Sequence, residues 1–234
     1  MSRVHAYGAA VLALIVLTPG MSRAQGRGAY PPSSTTPQLT FRGFGDVGVT
    51  VFSATQSFRA ILGRPAGPLF GGGLELGLPK HLFLSVGASR FRRTGHRVFA
   101  FQGKVFDLNE PATITVTPLE ITAGYRYTGP AQPATRAASS ARLIPYVGGG
   151  VGWHKYTETS AHSSDADDVH ATFTGYQVVG GVEMPLQKWM ALAAEAQFAS
   201  VPNALGQDPN GVSSVYNEHN LGGFTVRVKV AVGR

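Results

Sequence analysis

Phe224-Thr225-Val226-Arg227-Val228-Lys229-Val230-Ala231-Val232 decides the fold class, because an apolar residue stands at every second position. Thr225, Arg227 and Lys229 occupy the alternate positions. A period of two places the valines on one face of a β-strand and the cations on the other. Moving upstream, the same alternation recurs in segments of about ten residues separated by turn or loop residues. Met190, Leu192, Ala194, Ala196 and Phe198 oppose Glu195 and Gln197, and Tyr176, Val178, Val182 and Met184 oppose Gln177, Gly181 and Glu183. Val147, Val151 and Trp153 oppose Gly148, Gly150 and Gly152, while Leu119, Ile121, Ala123, Tyr125 and Tyr127 oppose Glu120, Thr122, Gly124 and Arg126. Leu82, Leu84, Val86 and Ala88 alternate with Ser85, Gly87 and Ser89. Phe70, Leu74, Leu76 and Leu78 alternate with Gly71, Gly73, Glu75 and Gly77. Val47, Val49 and Val51 stand opposite Arg42, Asp46 and Thr50. That makes eight segments.

The polar faces tell lipid from water. A soluble β-sandwich also alternates, but its exterior is dense in charge. Here only 14% of residues are charged and 30 are glycine, so the second face carries small side chains with isolated charges. Small residues suit the narrow lumen of an eight-stranded barrel. The expectation is an all-β, eight-stranded, antiparallel up-and-down transmembrane barrel over residues 40–234, with lipid outside. Short connections at Pro79-Lys80-His81 and Pro185-Leu186-Gln187-Lys188 alternate with long polar ones at 54–68, 94–112, 158–171 and 201–219. Residues 128–141, rich in Pro, Ala and Ser, are longer than a turn on that side requires. Trp153, Trp189, Tyr125, Tyr127, Phe198 and Phe224 fall near segment ends, where aromatic girdles of membrane barrels sit.

Residues 1–24 read as a signal peptide: Arg3 and His5 precede an apolar run from Ala9 to Leu17, and Ser22-Arg23-Ala24 offers a cleavage site. The apolar run is about half the ~20 residues of a spanning helix. Residues 25–39 form a linker rich in Pro, Ser and Thr. The formal charge of +7 falls to 7 − 2 = +5 once Arg3 and Arg23 are removed. With no cysteine, disulfides, thiolate metal sites, cysteine nucleophiles and a cysteine lipid anchor are excluded. The arginines form no helical stripe beside stacking aromatics, so no nucleic acid is expected and anionic lipid is the expected counterpart of the basic charge.

Pro145-Tyr146-Val147-Gly148-Gly149-Gly150-Val151-Gly152-Trp153 resembles the glycine-rich strand of small outer-membrane β-barrel proteins of the OmpA-like and OmpW-like kind. Thr117-Pro118-Leu119 with Gly124-Tyr125-Arg126-Tyr127 is similar to another of their strands. The resemblance covers about residues 40–234 and implies an exported protein of the bacterial outer membrane. The chain departs from it at Val232-Gly233-Arg234, where such barrels end in an aromatic residue that aids assembly.

Three sets of residues carry the functional expectations. Arg42, Arg126, Arg227 and Lys229 share the lumen face with Asp46, Glu75, Glu120, Glu183 and Glu195, four cations against five carboxylates. Unpaired buried charge costs several kcal/mol, so the set is read as a paired plug, with a charged ion path as the alternative. Arg90, Arg92, Arg93 and Arg97, with His96, gather at the outer end of the third segment as a candidate contact for lipid phosphate, including that of lipopolysaccharide. His162, Asp165, Asp167, Asp168 and His170 hold metal-ligand atoms without any calcium-loop spacing, so no metal site is assigned. His154 lacks a serine two residues on, and Ser213, Ser214 and His219 are the remaining candidates for a membrane-edge pair. No phosphate loop, nucleophile elbow or zinc-spaced histidine pair occurs. The expectation is a monomeric, non-enzymatic barrel without cofactor, structural in the envelope or presenting its outer loops to a surface ligand. A small pore for ions or minor apolar solutes and a lipid A-modifying hydrolase are the alternatives.

Overall fold

A computed structural model describes residues 39–128, 143–160, 169–207 and 211–233. The residues expected to form the signal peptide, nearly all of the linker, the 129–142 connection and His162, Asp165, Asp167 and Asp168 lie outside the described residues. The elements run β1 (Thr40–Phe52), α1 (Thr55–Leu62), β2 (Ala66–Gly77), β3 (Leu82–Phe101), β4 (Lys104–Arg126), β5 (Ile144–Ser160), β6 (Val169–Gln187), β7 (Met190–Ser200), α2 (Val212–Val215) and β8 (Gly223–Gly233). All strand pairs are antiparallel, and β8 returns to β1 to close the barrel in sequence order. Closure leaves no open edge within the wall, the condition for crossing a bilayer with strands.

The alternation is realised as expected. Val47, Val49, Val226, Val228, Val230, Leu74, Val86, Leu119, Val147 and Val178 are exposed on the outside, while Asp46, Glu75, Glu120, Glu183, Glu195, Arg227 and Lys229 are buried inside. Tyr125, Tyr127 and Trp189 stand exposed at the end with the short turns, and Trp153, Phe198 and Phe224 at the end with the long connections. We call these the turn end and the loop end.

The long connections differ from the expected polar loops. Residues 94–112 are a continuation of β3 and β4, closed by a tight turn at Gln102 and Gly103, both with positive φ (49° and 74°). Positive φ at both central residues suits the twist of a hairpin. The charges of this stretch hid the strand. Pro111 sits at an irregularity between His96 and Val98, just before β4 begins to pair with β5 at Ala112, so its missing N–H costs no ladder bond on that side. The 54–68 connection contains α1 and the first residues of β2. The 158–171 connection shortens, because β5 runs to Ser160 and β6 starts at Val169, and β6 extends through Pro185 to Gln187.

The loop end carries an apolar core. Phe52, Phe58, Leu62, Leu69, Phe91, Ile114, Val116, Tyr156, Val201 and Leu221 cluster there, with Phe52 stacked on Phe58 at 4.1 Å and set edge-on to Phe91 at 4.9 Å. Helix α1 supplies Phe58 and Leu62 to this core from over the barrel's mouth. Glu218 accepts bonds from the Gln56 and Ser57 backbone N–H groups (2.9 and 2.8 Å) and from Ser57 Oγ (2.7 Å). It thereby satisfies donors that the first helical turn leaves open, and it ties the β1–β2 connection to the β7–β8 connection.

Candidate functional site

The lumen is a stack of layers, each set by the inward parity of the strands. At the turn end, Arg42 on β1 bonds Glu75 on β2 (Nε 2.9 Å) and Glu183 on β6 (Nη1 2.8 Å). Arg126 on β4 bonds the same two carboxylates (2.5 and 3.3 Å) and lies 4.6 Å from the Phe83 ring centroid. Two guanidiniums and two carboxylates form a closed ring across the barrel. One layer deeper, Glu195 on β7 accepts from Arg227 Nε (2.5 Å), Lys229 Nζ (2.9 Å) and the Tyr146 hydroxyl (2.8 Å). Lys229 Nζ also sits 4.5 Å from the centre of the Phe44 ring. The third layer is mostly neutral: Gln197 donates to Glu120 (2.6 Å), Gln177 to Thr122 (3.1 Å) and Thr225 to Thr50 (2.9 Å). The apolar core lies above it.

The nine charged residues of the lumen thus divide into a turn-end ring of four and a central group around Glu195. Glu120 is held by an amide and Asp46 stands opposite Lys229 in register. Asp46 Oδ1, Gln177 Oε1 and His154 Nε2 are buried without a hydrogen-bond partner among the described residues. Two small cavities separate the layers. One, of about 40 Å³, lies between the apolar core and the neutral layer and is lined by Phe52, Phe91, Ser89, His154, Glu120 and Arg227 among others. The other, of about 20 Å³, lies beside Asp46, Lys229 and Phe44. Each has room for a few waters at most.

Gln177 and Gln197, read on the inner face, gain their partners there, while Tyr146, His154, Phe44 and Phe83 are lumen residues that the charge-based reading left out. Their signal was parity alone: Tyr146 precedes Gly148 by two residues and His154 follows Gly152 by two. Gly181 makes room for the Tyr146 ring, since a Cβ there would lie 2.6 Å from it.

The arginine cluster at the top of β3 splits by face. Arg90 and Arg92 are exposed on the outer wall, and Arg93, on the other face, reaches over β2 to the Ala66 carbonyl (Nη1 2.7 Å). Arg97 faces Glu110 at 3.7 Å, and His96 faces Asp107 at 3.2 Å, both on the protruding hairpin. Asp107 also caps the Asn109 N–H (2.7 Å), which, with His96, holds its carboxyl below the ordinary value.

For acid–base chemistry, the upper cavity brings Ser89, His154 and Glu120 to one space. His154 Nε2 bonds none of the described residues, and the apolar core roofs the cavity on the loop side. In the β7–β8 connection, Ser214 Oγ donates to the Gly206 carbonyl (3.0 Å), and His219 lies by the Leu205 carbonyl and Asn217. Among the described residues no group of three or more metal-ligating side chains converges.

No family model and no curated protein sequence matches the chain. Solved structures do. A major outer membrane protein of Thermus thermophilus superposes with a TM-score of 0.50 at 9% identity, over 84% of this chain and 99% of that one. The architecture is that of the small outer-membrane β-barrels. Neisserial surface protein A covers 84% of this chain and 97% of its own at 13% identity (TM-score 0.49). The N-terminal barrel domain of OprF from Pseudomonas aeruginosa covers 85% and 100% at 13% identity (TM-score 0.44). The OmpA-like and OmpW-like resemblance read from the glycine-rich strands is thereby met at the level of the fold.

Proposed function

We propose that the protein is a non-enzymatic, non-conducting barrel of the bacterial outer membrane that anchors a rigid surface platform. The observation that carries this reading is the filled lumen. Ring, central ion group, neutral layer and apolar core follow one another, with small cavities of about 20 and 40 Å³ between them. A hydrated ion would have to break buried ion pairs and then displace the Phe52–Phe58–Phe91 cluster. Breaking one buried pair costs about 3–5 kcal/mol.

The platform is what projects beyond the wall: α1, the β3–β4 hairpin and the β7–β8 connection. Phe99, Phe101, Phe106 and Leu108 are exposed on that hairpin, suited to meeting a surface ligand. The lipid-facing valines and leucines hold the platform in the bilayer, and the ion pairs inside keep the wall from collapsing or sliding in register.

Swelling of protein-containing liposomes in isosmotic small sugars or salts tests the reading. The expected swelling rate equals that of protein-free liposomes. Swelling that rises with protein content and falls with solute size would replace the platform by a pore.

A further inference from the structure

The wall near the loop end records where the lipid-facing surface stops. Ala88, Leu119, Trp153 and Thr174 align in one outward row across β3, β4, β5 and β6. Four residues further out along each strand, the aligned row is Arg92, Thr115, Thr157 and His170, with no aliphatic in it. Arg90 pairs with Phe70 of β2 and stands between the two rows, at the boundary of apolar and polar wall.

Two outward arginines stand at this corner, and two more lie at the neighbouring top of β2. Arg90 and Arg92 project outward from β3, roughly 7 Å apart along the strand. Arg93 is held at the top of β2 by the Ala66 carbonyl, and Arg64 lies two residues before Ala66. Desolvation first and the Arg64 charge second push the Arg93 guanidinium below its ordinary value. None of the four has a carboxylate partner among the described residues. The nearby acids are engaged elsewhere, Glu110 with Arg97, Asp107 with His96 and Asn109, Glu218 with α1, and Glu158, two strands from Arg93 in the same row, with the Tyr156 hydroxyl. A protein that gathers four guanidiniums without an acid beside them leaves their neutralisation to something else.

We propose that this corner, Arg64, Arg90, Arg92 and Arg93, binds the phosphate-bearing head group of an outer-leaflet lipid. Guanidiniums take phosphate oxygens in paired hydrogen bonds. Directly below the corner, exposed Phe70, Leu74, Leu84 and Val86 offer the apolar wall along which the acyl chains of that same lipid would lie. A free anion would use the arginines and leave this wall unused, which is why the lipid is the occupant. Arg97 belongs to the hairpin and its ion pair, and it takes no part. The inference rests on the membrane placement of the barrel.

The test uses the full chain in nanodiscs of phosphatidylcholine doped with bisphosphorylated lipid A or with the same lipid after removal of its phosphates. Retained lipid is counted by native mass spectrometry. Expected is preferential retention of the phosphorylated form, reduced about tenfold or more in R90E/R92E, as for loss of hydrogen bonds to charged groups. A smaller reduction is expected in R64Q, which leaves the strands untouched, and none in R97Q. Equal retention of the two lipids, or unchanged preference in both R90E/R92E and R64Q, overturns the site. Displacement of the lipid by equimolar inorganic phosphate would make it a free-anion site and overturn the lipid assignment. Failure of the folded protein to enter nanodiscs would instead overturn the membrane placement.

Discussion

Neutralising Glu195 should be among the most damaging single changes in the lumen. Its two oxygens accept from Arg227, Lys229 and Tyr146, three donors from β8 and β5, and it is itself buried. Glu195→Gln preserves the shape but leaves Arg227 and Lys229 facing only Asp46 and the amide-held Glu120. Removing one member of a buried pair costs about 3–5 kcal/mol, because the remaining charge keeps its desolvation penalty. Two cations are stranded here, so the upper half of that range is expected. Urea unfolding of the protein refolded in lipid vesicles, followed by tryptophan emission, measures the change at constant slope. Adding Lys229→Met to Glu195→Gln removes one stranded cation, and the double variant should regain a large share of the loss. A single variant within about 0.5 kcal/mol of wild type, the size of an ordinary surface change, would refute the argument that Glu195 holds the central group together.

Val228→Lys places a cation on the outer wall near the middle of β8 and should cost about 2–4 kcal/mol in vesicles; a cost near zero would place that face in water. Glu218→Ala removes the acceptor of two α1 backbone N–H groups and of Ser57 Oγ. Loss of such capping costs about 0.5–2 kcal/mol, and trypsin should cut faster after Arg59 and Arg64 with the barrel left intact. Asp107 titrates below its ordinary value of 3.8, foremost because the Asn109 N–H bonds its charged form. A depressed carboxyl contributes stability that is present above the ordinary value and lost as pH falls through the lowered one. Protection of the Asn109 amide, its exchange relative to an unstructured peptide at the same pH, should therefore fall toward low pH, and Asp107→Asn should remove that fall.

The wall was legible because its physics is local. Val226, Val228 and Val230 against Arg227 and Lys229 state strand, face and lipid contact in a few residues, and the same rule oriented all eight strands. The hairpin at 94–112 was illegible for a related reason. Beyond the bilayer neither face needs to be apolar, so Arg93, His96, Arg97 and Asp107 read as loop although the backbone continues to pair. Charge composition indicated that the lumen cations and carboxylates would share an interior, but their grouping depends on stagger between strands far apart in sequence. Arg42 meets Glu183 across 141 positions and Arg227 meets Glu195 across 32. The apolar core at the loop end went unread because Phe52, Phe91, Ile114 and Val116 lie on the face that elsewhere carries polar groups. Parity places them inside, and only closure of the barrel with α1 over its mouth makes that inside apolar. The arginine corner was seen as a run in β3, whereas Arg93 turns to the Ala66 carbonyl, two residues from Arg64, and Arg97 leaves it for Glu110.

Ion conductance of the folded protein in a planar bilayer tests the filled lumen most directly. The account predicts a silent membrane across the voltage range that the bilayer withstands, for the wild type and for Arg42→Gln alike. Stable unitary steps from folded wild-type protein, changed in size or ion selectivity when Glu195 or Arg227 is neutralised, would contradict it.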